Sequence, residues 1–379
     1  MKQPARSLVI AIALLVIAPL PATTVPGAPQ QAENVILFTF DGLRWQEVFG
    51  GADEALLTEE AGGVGDVDAL RREFWRDDAK ERRDVLLPFL WNIVAPSGQL
   101  FGNVELGSEV RVTNGRIFSY PGYNELLAGF VDDRIDSNDK NFNPNPNVLE
   151  WIAQQPGFEG RVAAFTAWDV FPYILNEPRA GIPVNSGWEP LDDVPLTPRQ
   201  ELINQLMRNS LHESEGVRSD ELTFFAALEY LQKARPRVLF ISLDGTDAGG
   251  HSRRYDNYLR SARLGDEYLR ILWETLQSMD GYAGTTALLI ATDHGRGDAP
   301  DDWRGHGENV PGSELMWIAA MGPGVAALGE RTDTDTLTQS QIAATVAALL
   351  SLDYRAAVPE AATPIEQIVG RRGAGPDAG

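Results

Sequence analysis

The sequence predicts an α/β protein of three layers, αβα, with a largely parallel central sheet. Continuous apolar runs recur at Val35–Phe40, Val162–Trp168, Arg237–Leu243 and Thr286–Ala291. Runs of that kind suit strands covered on both faces. Longer amphipathic stretches separate them, the alternation that builds a parallel sheet with helices on either side. Three of the runs end in Asp41-Gly42, Asp244-Gly245 and Thr292-Asp293-His294-Gly295. In open α/β sheets, ligands gather at the carboxyl ends of the strands.

The chain has 379 residues, 43% hydrophobic and 23% charged, enough to enclose a large core. Its formal net charge of −22 argues against a nucleic-acid duplex as partner. A small anionic substrate stays open, because bound dications reverse the local field. Cysteine is absent, which removes disulfides, thiolate metal sites and a cysteine nucleophile. Lys2 and Arg6 precede the apolar run Ser7–Leu20, and small residues and prolines follow from Pro21 to Ala28. This reads as a signal peptide over residues 1–28, with the mature protein periplasmic or secreted. No later stretch has the length and apolarity of a membrane span.

In chain order, the strand Val35–Phe40 delivers Asp41. Leu57–Lys80, acidic and glycine-interrupted, reads as a surface insertion, and Leu86–Val94 as a helix on the sheet. Gly98–Thr113 carries short β-type pieces. Ser119 stands before Pro121 and a helix that Gly129 stops. The plain reading of Ser119 is a helix N-cap; the chemical one is a nucleophile where helix N–H groups receive a phosphoryl group. Asp132–Asn147 is an irregular loop in which Asn138, Asn141 and Asn143 could donate to a bound oxyanion, Asn141 being the choice. Phe171–Pro198 reads as a lid, and Pro198–His212 and Asp220–Ala234 as helices, with His212 a solvated surface residue. After Arg237–Leu243, Asp247 and His251 stand four apart in a glycine-rich loop, able to face one ion. Tyr255–Met279 is a long helix. After Asp293-His294, Arg296–Arg304 is a polar loop leading to Gly305-His306-Gly307; Glu314–Met321 is a last strand and Gln341–Leu350 a helix. The chain divides into the signal peptide, a single domain over residues 33–368, and a disordered tail over 369–379.

Three of the four histidines thus lie in such motifs. Asp41, Ser119, Asp247, His251, Asp293, His294 and His306 supply carboxylates, imidazoles and a hydroxyl enough for two adjacent divalent ions. In this order the set resembles the alkaline phosphatase superfamily, most closely its nucleotide pyrophosphatase/phosphodiesterase-like branch, from Val35 to about Leu352. The resemblance implies an alkaline-phosphatase-like fold. It also implies one ion held by Asp247, His251 and His306, and a second held by Asp41, Asp293, His294 and the oxygen of Ser119. Zinc suits these nitrogen and oxygen ligands, with manganese and iron as alternatives. Ser119 would then be the nucleophile, forming a phosphoserine that water hydrolyses, with the Tyr120 N–H in the anion clamp. Sulfatases of the superfamily place a cysteine, converted to formylglycine, at the nucleophile position, and the absence of cysteine argues against that branch. Many of the diesterases carry threonine at the nucleophile and Asn-His after the proline, where this chain has Ser119 and Gly122-Tyr123. No basic residue closely follows Ser119, with Arg116 and Arg134 the candidates, which tilts the substrate toward diesters. Phosphonate hydrolysis, phosphoryl or headgroup transfer, and a non-catalytic phosphate-binding role are the alternatives.

Overall fold

The computed structural model describes residues 31–212 and 214–370; the export segment and residues 371–379 of the expected tail lie outside the described residues. Eight strands form the main sheet: β1 (Asn34–Phe40), β2 (Gly98–Phe101), β3 (Val162–Thr166), β4 (Val184–Ser186), β5 (Val238–Leu243), β6 (Thr286–Thr292), β7 (Ile318–Met321) and β8 (Gly329–Glu330). Their order is β8-β2-β7-β6-β1-β5-β3-β4. Only β7 runs against the others, between β2 and β6. β1 lies at the centre, with Val35 opposite Val238 of β5 and Ala287 of β6.

Every residue of β1 is buried. Ile36, Phe38 and Phe40 enter one core, and Val35 and Leu37 enter the other. That alternation is the strand period of two, with a hydrophobic layer on each face. On the first face lie helices α3 (Asp220–Ala234) and α5 (Tyr255–Ser278). On the second lie α1 (Ser119–Ala128), α2 (Val148–Ala153) and α6 (Gln341–Leu349). Inside α5, Gly265 replaces a better helix former because a Cβ there would stand 2.1 Å from the Phe40 ring.

Several expectations change. Leu57–Lys80 is packed into the body: Leu70 and Phe74 are buried in the first core. Its acidic residues punctuate helices, Asp66 accepting from the Ala69 N–H and Asp78 from the Glu81 N–H. Leu86–Val94 is no single helix; one helix ends at Leu86, and a π-helical turn runs over Leu90–Val94. The stretch Phe171–Pro198 includes β4, an edge strand paired with β3. The last strand breaks at Trp317, whose indole N–H donates to Leu43 O at 3.0 Å. Leu315–Met316 therefore joins a separate three-stranded sheet, while β7 continues in the main one. The tail loses Val369 to the short helix Glu366–Val369.

Ser119 is not a cap. Phe118 occupies the extended cap position, no side chain caps the helix, and Ser119 is its first residue. Gly129, at φ 84°, ends α1 as expected. The helix is anchored instead by Glu125, a fully buried carboxylate. It accepts from the backbone N–H groups of Thr113 and Asn114, from both of their side chains, and from Ser340 Oγ. Glu125→Ala strands these donors, so urea unfolding should show a loss of about 3 kcal/mol or more. A loss under about 1 kcal/mol would mean that water replaces the carboxylate.

Candidate metal centre

The sheet order sets β6, β1 and β5 side by side, and the residues after their carboxyl ends meet. Asp41 follows β1, its N–H still bonded to Leu243 O of β5 at 3.0 Å, and its carbonyl accepts from Thr246 Oγ1. Gly42 turns the chain at φ 62° and donates its N–H to Asp293 Oδ1 at 3.0 Å. A Cβ at Gly42 would come within 2.7 Å of the Arg296 guanidinium and 3.0 Å of Asp247 Oδ1. The Asp-Gly pair therefore serves both the turn and the space beside the site.

Asp293 Oδ1 also accepts from the His294 N–H at 2.9 Å. Asp293 Oδ2 and Asp41 Oδ1 are buried without a hydrogen-bond partner. Both lie 3.5 Å from His294 Nε2, and so does Ser119 Oγ. Two donors each 2.0–2.2 Å from one tetrahedral ion stand about 3.3–3.5 Å apart. The His294 Nδ1 faces Gly295 O at 2.9 Å, so its N–H points there and Nε2 presents a lone pair inward. Orphaned carboxylate oxygens, an oriented imidazole and a hydroxyl at that spacing fit a divalent cation.

A second group adjoins the first. Asp247 and His251 lie on α4 (Gly245–His251), with Asp247 Oδ2 3.2 Å from His251 Nε2. His306 Nε2 stands 3.0 Å from His251 Nε2 and 3.7 Å from Asp247 Oδ1. Its Nδ1 faces Ile117 O at 3.1 Å, which again turns Nε2 inward. Ligand atoms of Asp247, His294 and His306 lie within 4.8 Å of one another, as do those of Asp41, Asp293 and His294.

Burial holds the His294 imidazole well below its ordinary pKa and His306 down to about 4, so both are neutral at neutral pH, the form able to ligate a metal. Burial raises the Asp41 and Asp293 carboxyls, and neighbouring carboxylates raise them further. Burial also works to raise Asp247, but Arg296 and the two histidines beside it carry it well below the usual range.

Two residues of the site, Arg296 and Asp244, escape sequence reasoning. Arg296 lies wholly buried, paired with Asp247 and donating to Trp303 O and Arg304 O. Nothing in the polar run Arg296–Arg304 separates it from a solvated arginine. Asp244, between Leu243 and α4, adds a carboxyl raised by burial and by Asp247. Asn138 Oδ1 accepts the Tyr120 N–H at 3.0 Å, so that N–H is engaged rather than open to an anion. Asn141 lies apart from this geometry: its side chain is exposed, and its carbonyl accepts from the Tyr120 hydroxyl at 2.5 Å. Asn143 is buried and bonded to Asn124. His212 is an exposed surface residue whose ring stacks on Trp188, 3.7 Å between centroids.

The family model for type I phosphodiesterase / nucleotide pyrophosphatase matches residues 117–368. The chain belongs to this family. It is similar to GPI ethanolamine phosphate transferase 1 of Emericella nidulans, 24% identical over 307 residues. That match takes in 79% of this chain and 28% of the relative, so the chain spans little more than a quarter of that protein's length. In fold it is similar to the alkaline phosphatase PafA, with a TM-score of 0.56, 11% identity, and 90% of this chain and 100% of that one covered. It is similar too to the lipoteichoic acid synthase LtaP of Listeria monocytogenes, with a TM-score of 0.54, 11% identity and coverages of 86% and 73%. The phosphonate monoester hydrolase SpPMH of Silicibacter pomeroyi gives 0.54, 12%, 89% and 76%. At these identities the structural likenesses show the fold, which is alkaline-phosphatase-like.

The carboxyl shifts set a direction with pH. Groups raised in the folded state favour the metal-free fold below their unfolded values and withdraw that stability as pH rises through the raised ones. Ion binding needs the same groups ionised. Added zinc should therefore raise the melting temperature of the chelator-treated chain more at pH 8 than at pH 5, by about 5 °C or more. Equal increments at both pH values in scanning calorimetry would contradict the coupling.

Proposed function

We propose that the protein is an exported two-metal hydrolase of phosphoric esters that works through a phosphoserine on Ser119. The observation that carries this reading is the place of Ser119. Ser119, 7% exposed as the first residue of α1, turns its hydroxyl toward the same His294 nitrogen as the two orphaned carboxylate oxygens. Export rests on Lys2, Arg6 and Ser7–Leu20; among the described residues no helix is long and apolar enough to cross a membrane.

Asp41, Asp293, His294 and Ser119 would hold one ion, and Asp247, His251 and His306 the other. Zinc fits the donor set best, with manganese or iron as alternatives. Bound there, two such ions would supply positive charge that favours the ionised Ser119 hydroxyl and offsets charge on the leaving oxygen. Ser119 Oγ forms the new bond to phosphorus, the ester P–O bond breaks, and the alcohol departs. Water then cleaves the bond between Ser119 Oγ and phosphorus, restoring the hydroxyl and releasing the phosphate, which for a diester substrate leaves as the monoester of its second alcohol. In this reading Asn138 takes the oxyanion role in place of Asn141. Its Oδ1 is fixed on the Tyr120 N–H beside Ser119, and its Nδ2 has no partner among the described residues. The extra charge of a monoester finds little to meet it. Arg116 leans toward Glu308 at 3.9 Å, and Arg134 is held by Asp132. Diesters are therefore the preferred class.

A second reading is transfer of the phosphoryl group or headgroup to an alcohol instead of water. The similarity to a protein named as an ethanolamine phosphate transferase favours it. Product analysis with an alcohol acceptor separates the two.

The protein loaded with zinc or manganese should cleave a chromogenic phosphodiester at least about tenfold faster, in kcat/KM, than the matching monoester. Ser119→Ala should keep most of its metal, by elemental analysis, and lose at least about 10³-fold in turnover. A variant that holds metal and turns over near the parent rate would take the nucleophile role from Ser119.

A further inference from the structure

A cavity of about 440 Å³ lies at this same edge of the sheet, against Ser186 of β4 and the residues after β3. Part of its lining is aromatic: Phe142, stacked on Tyr173 at 4.8 Å, and Trp188. Part is acidic. Glu177 and Glu189 line it, and neither is ion-paired among the described residues. The lining's lysine, Lys140, is held by Asp169 at 2.7 Å. Arg218, which acts on Glu189 from behind, is buried and bonded to Thr223, Asn185 and the Thr166 carbonyl. Ser186 is 4% exposed, and its Oγ is buried without a partner.

We propose that this cavity is a site for a primary ammonium group, carried on the alcohol portion of the ester. Aromatic rings and carboxylates without an ion-pair partner both favour a cation over an anion. The unpartnered Ser186 hydroxyl accepts a hydrogen bond from an N–H, which a quaternary ammonium lacks. Burial raises the Glu177 and Glu189 carboxyls, with Asp192 adding to both and Glu189 also raising Glu177, so a bound cation relieves a cost already present in the fold. The cavity is tied to the nucleophile: Tyr120, next to Ser119, donates its hydroxyl to the carbonyls of Asn141 and Tyr173. β3 lies two strands from β1, about 10 Å at the usual spacing, so the amine sits several bonds from phosphorus. The substrate-class part of this inference rests on the hydrolase reading above; the ammonium site does not.

Calorimetry on the full metal-loaded chain, with n-butylammonium chloride as probe, tests the site directly. Saturable binding is expected. It should be at least about tenfold weaker for n-butanol and for tetramethylammonium chloride, and for the Glu177→Gln/Glu189→Gln and Ser186→Ala variants shown by thermal melts to be folded. Equal binding of n-butanol, or unchanged binding in the variants, overturns the proposal. The substrate class is tested with an aminoalkyl and an alkyl 4-nitrophenyl phosphodiester. The aminoalkyl ester should be preferred about tenfold or more in kcat/KM, and the ratio should fall toward one in the double Glu variant. Hydrolysis of both at equal rates overturns the amine preference and leaves the hydrolase standing. Hydrolysis of neither, with butylammonium bound, overturns the hydrolase reading and leaves the ammonium site.

Discussion

The molecule is built around a concentration of negative charge that its own side chains do not balance. Asp41 and Asp293 approach within 4.8 Å of one another and of His294, buried at the ends of adjacent strands. Two carboxylates at that distance repel by about 3–4 kcal/mol at an effective dielectric of 20. That is a large share of the roughly 5–15 kcal/mol that holds a domain folded. The nearby fixed cation, Arg296, is spent on Asp247. The remaining carboxylates can take up protons, as the raised pKa values of Asp41 and Asp293 describe, or share a cation. With histidines held neutral and their Nε2 atoms turned inward, the second outcome is the one the donors are arranged for.

The sheet is what makes that arrangement affordable. β1 pairs in parallel with both β5 and β6, so their carboxyl ends fall at one level. The Gly42 N–H and the His294 N–H both settle on Asp293 Oδ1, which leaves Oδ2 free to face inward. A side chain at position 42 would fill the space between Arg296, Asp247 and His294. Positioning thus comes from rigid elements and short turns, which hold a constellation more tightly than a long loop does.

Strand ends were the most legible part of the chain, because a buried parallel strand and the polar residue that stops it leave a pattern within a few residues. Asp41, Asp247 and Asp293-His294 could be placed from that pattern, and the meeting of their side chains follows from strand order, which no local pattern contains. Arg296 was not legible for the converse reason. An arginine in a polar run looks the same whether solvent or Asp247 receives it. The helices of Leu57–Lys80 were misread because Asp66 and Asp78 resemble loop residues until the helix they begin is visible. Asn138 and Asn141 are equivalent in sequence, and only the Tyr120 N–H distinguishes them.

Ser119 shows how the two levels combine. A serine before a proline and a helix is most often a cap, a role worth about 1 kcal/mol. Here Phe118 takes the cap position, and the serine hydroxyl is left facing His294. The helix needs another tether, and Glu125 supplies it from the opposite end of α1, gathering Thr113, Asn114 and Ser340. The stabilising work is thereby moved off the residue whose hydroxyl faces His294. The same economy extends along the sheet edge. The candidate metal-ligand groups are gathered where β6, β1 and β5 end, while the acidic, aromatic cavity stands beyond β5, where β3 and β4 end. Tyr120 joins the two through its hydroxyl, bonded to the carbonyls of Asn141 and Tyr173, so the cavity lining and Ser119 are positioned by one helix start.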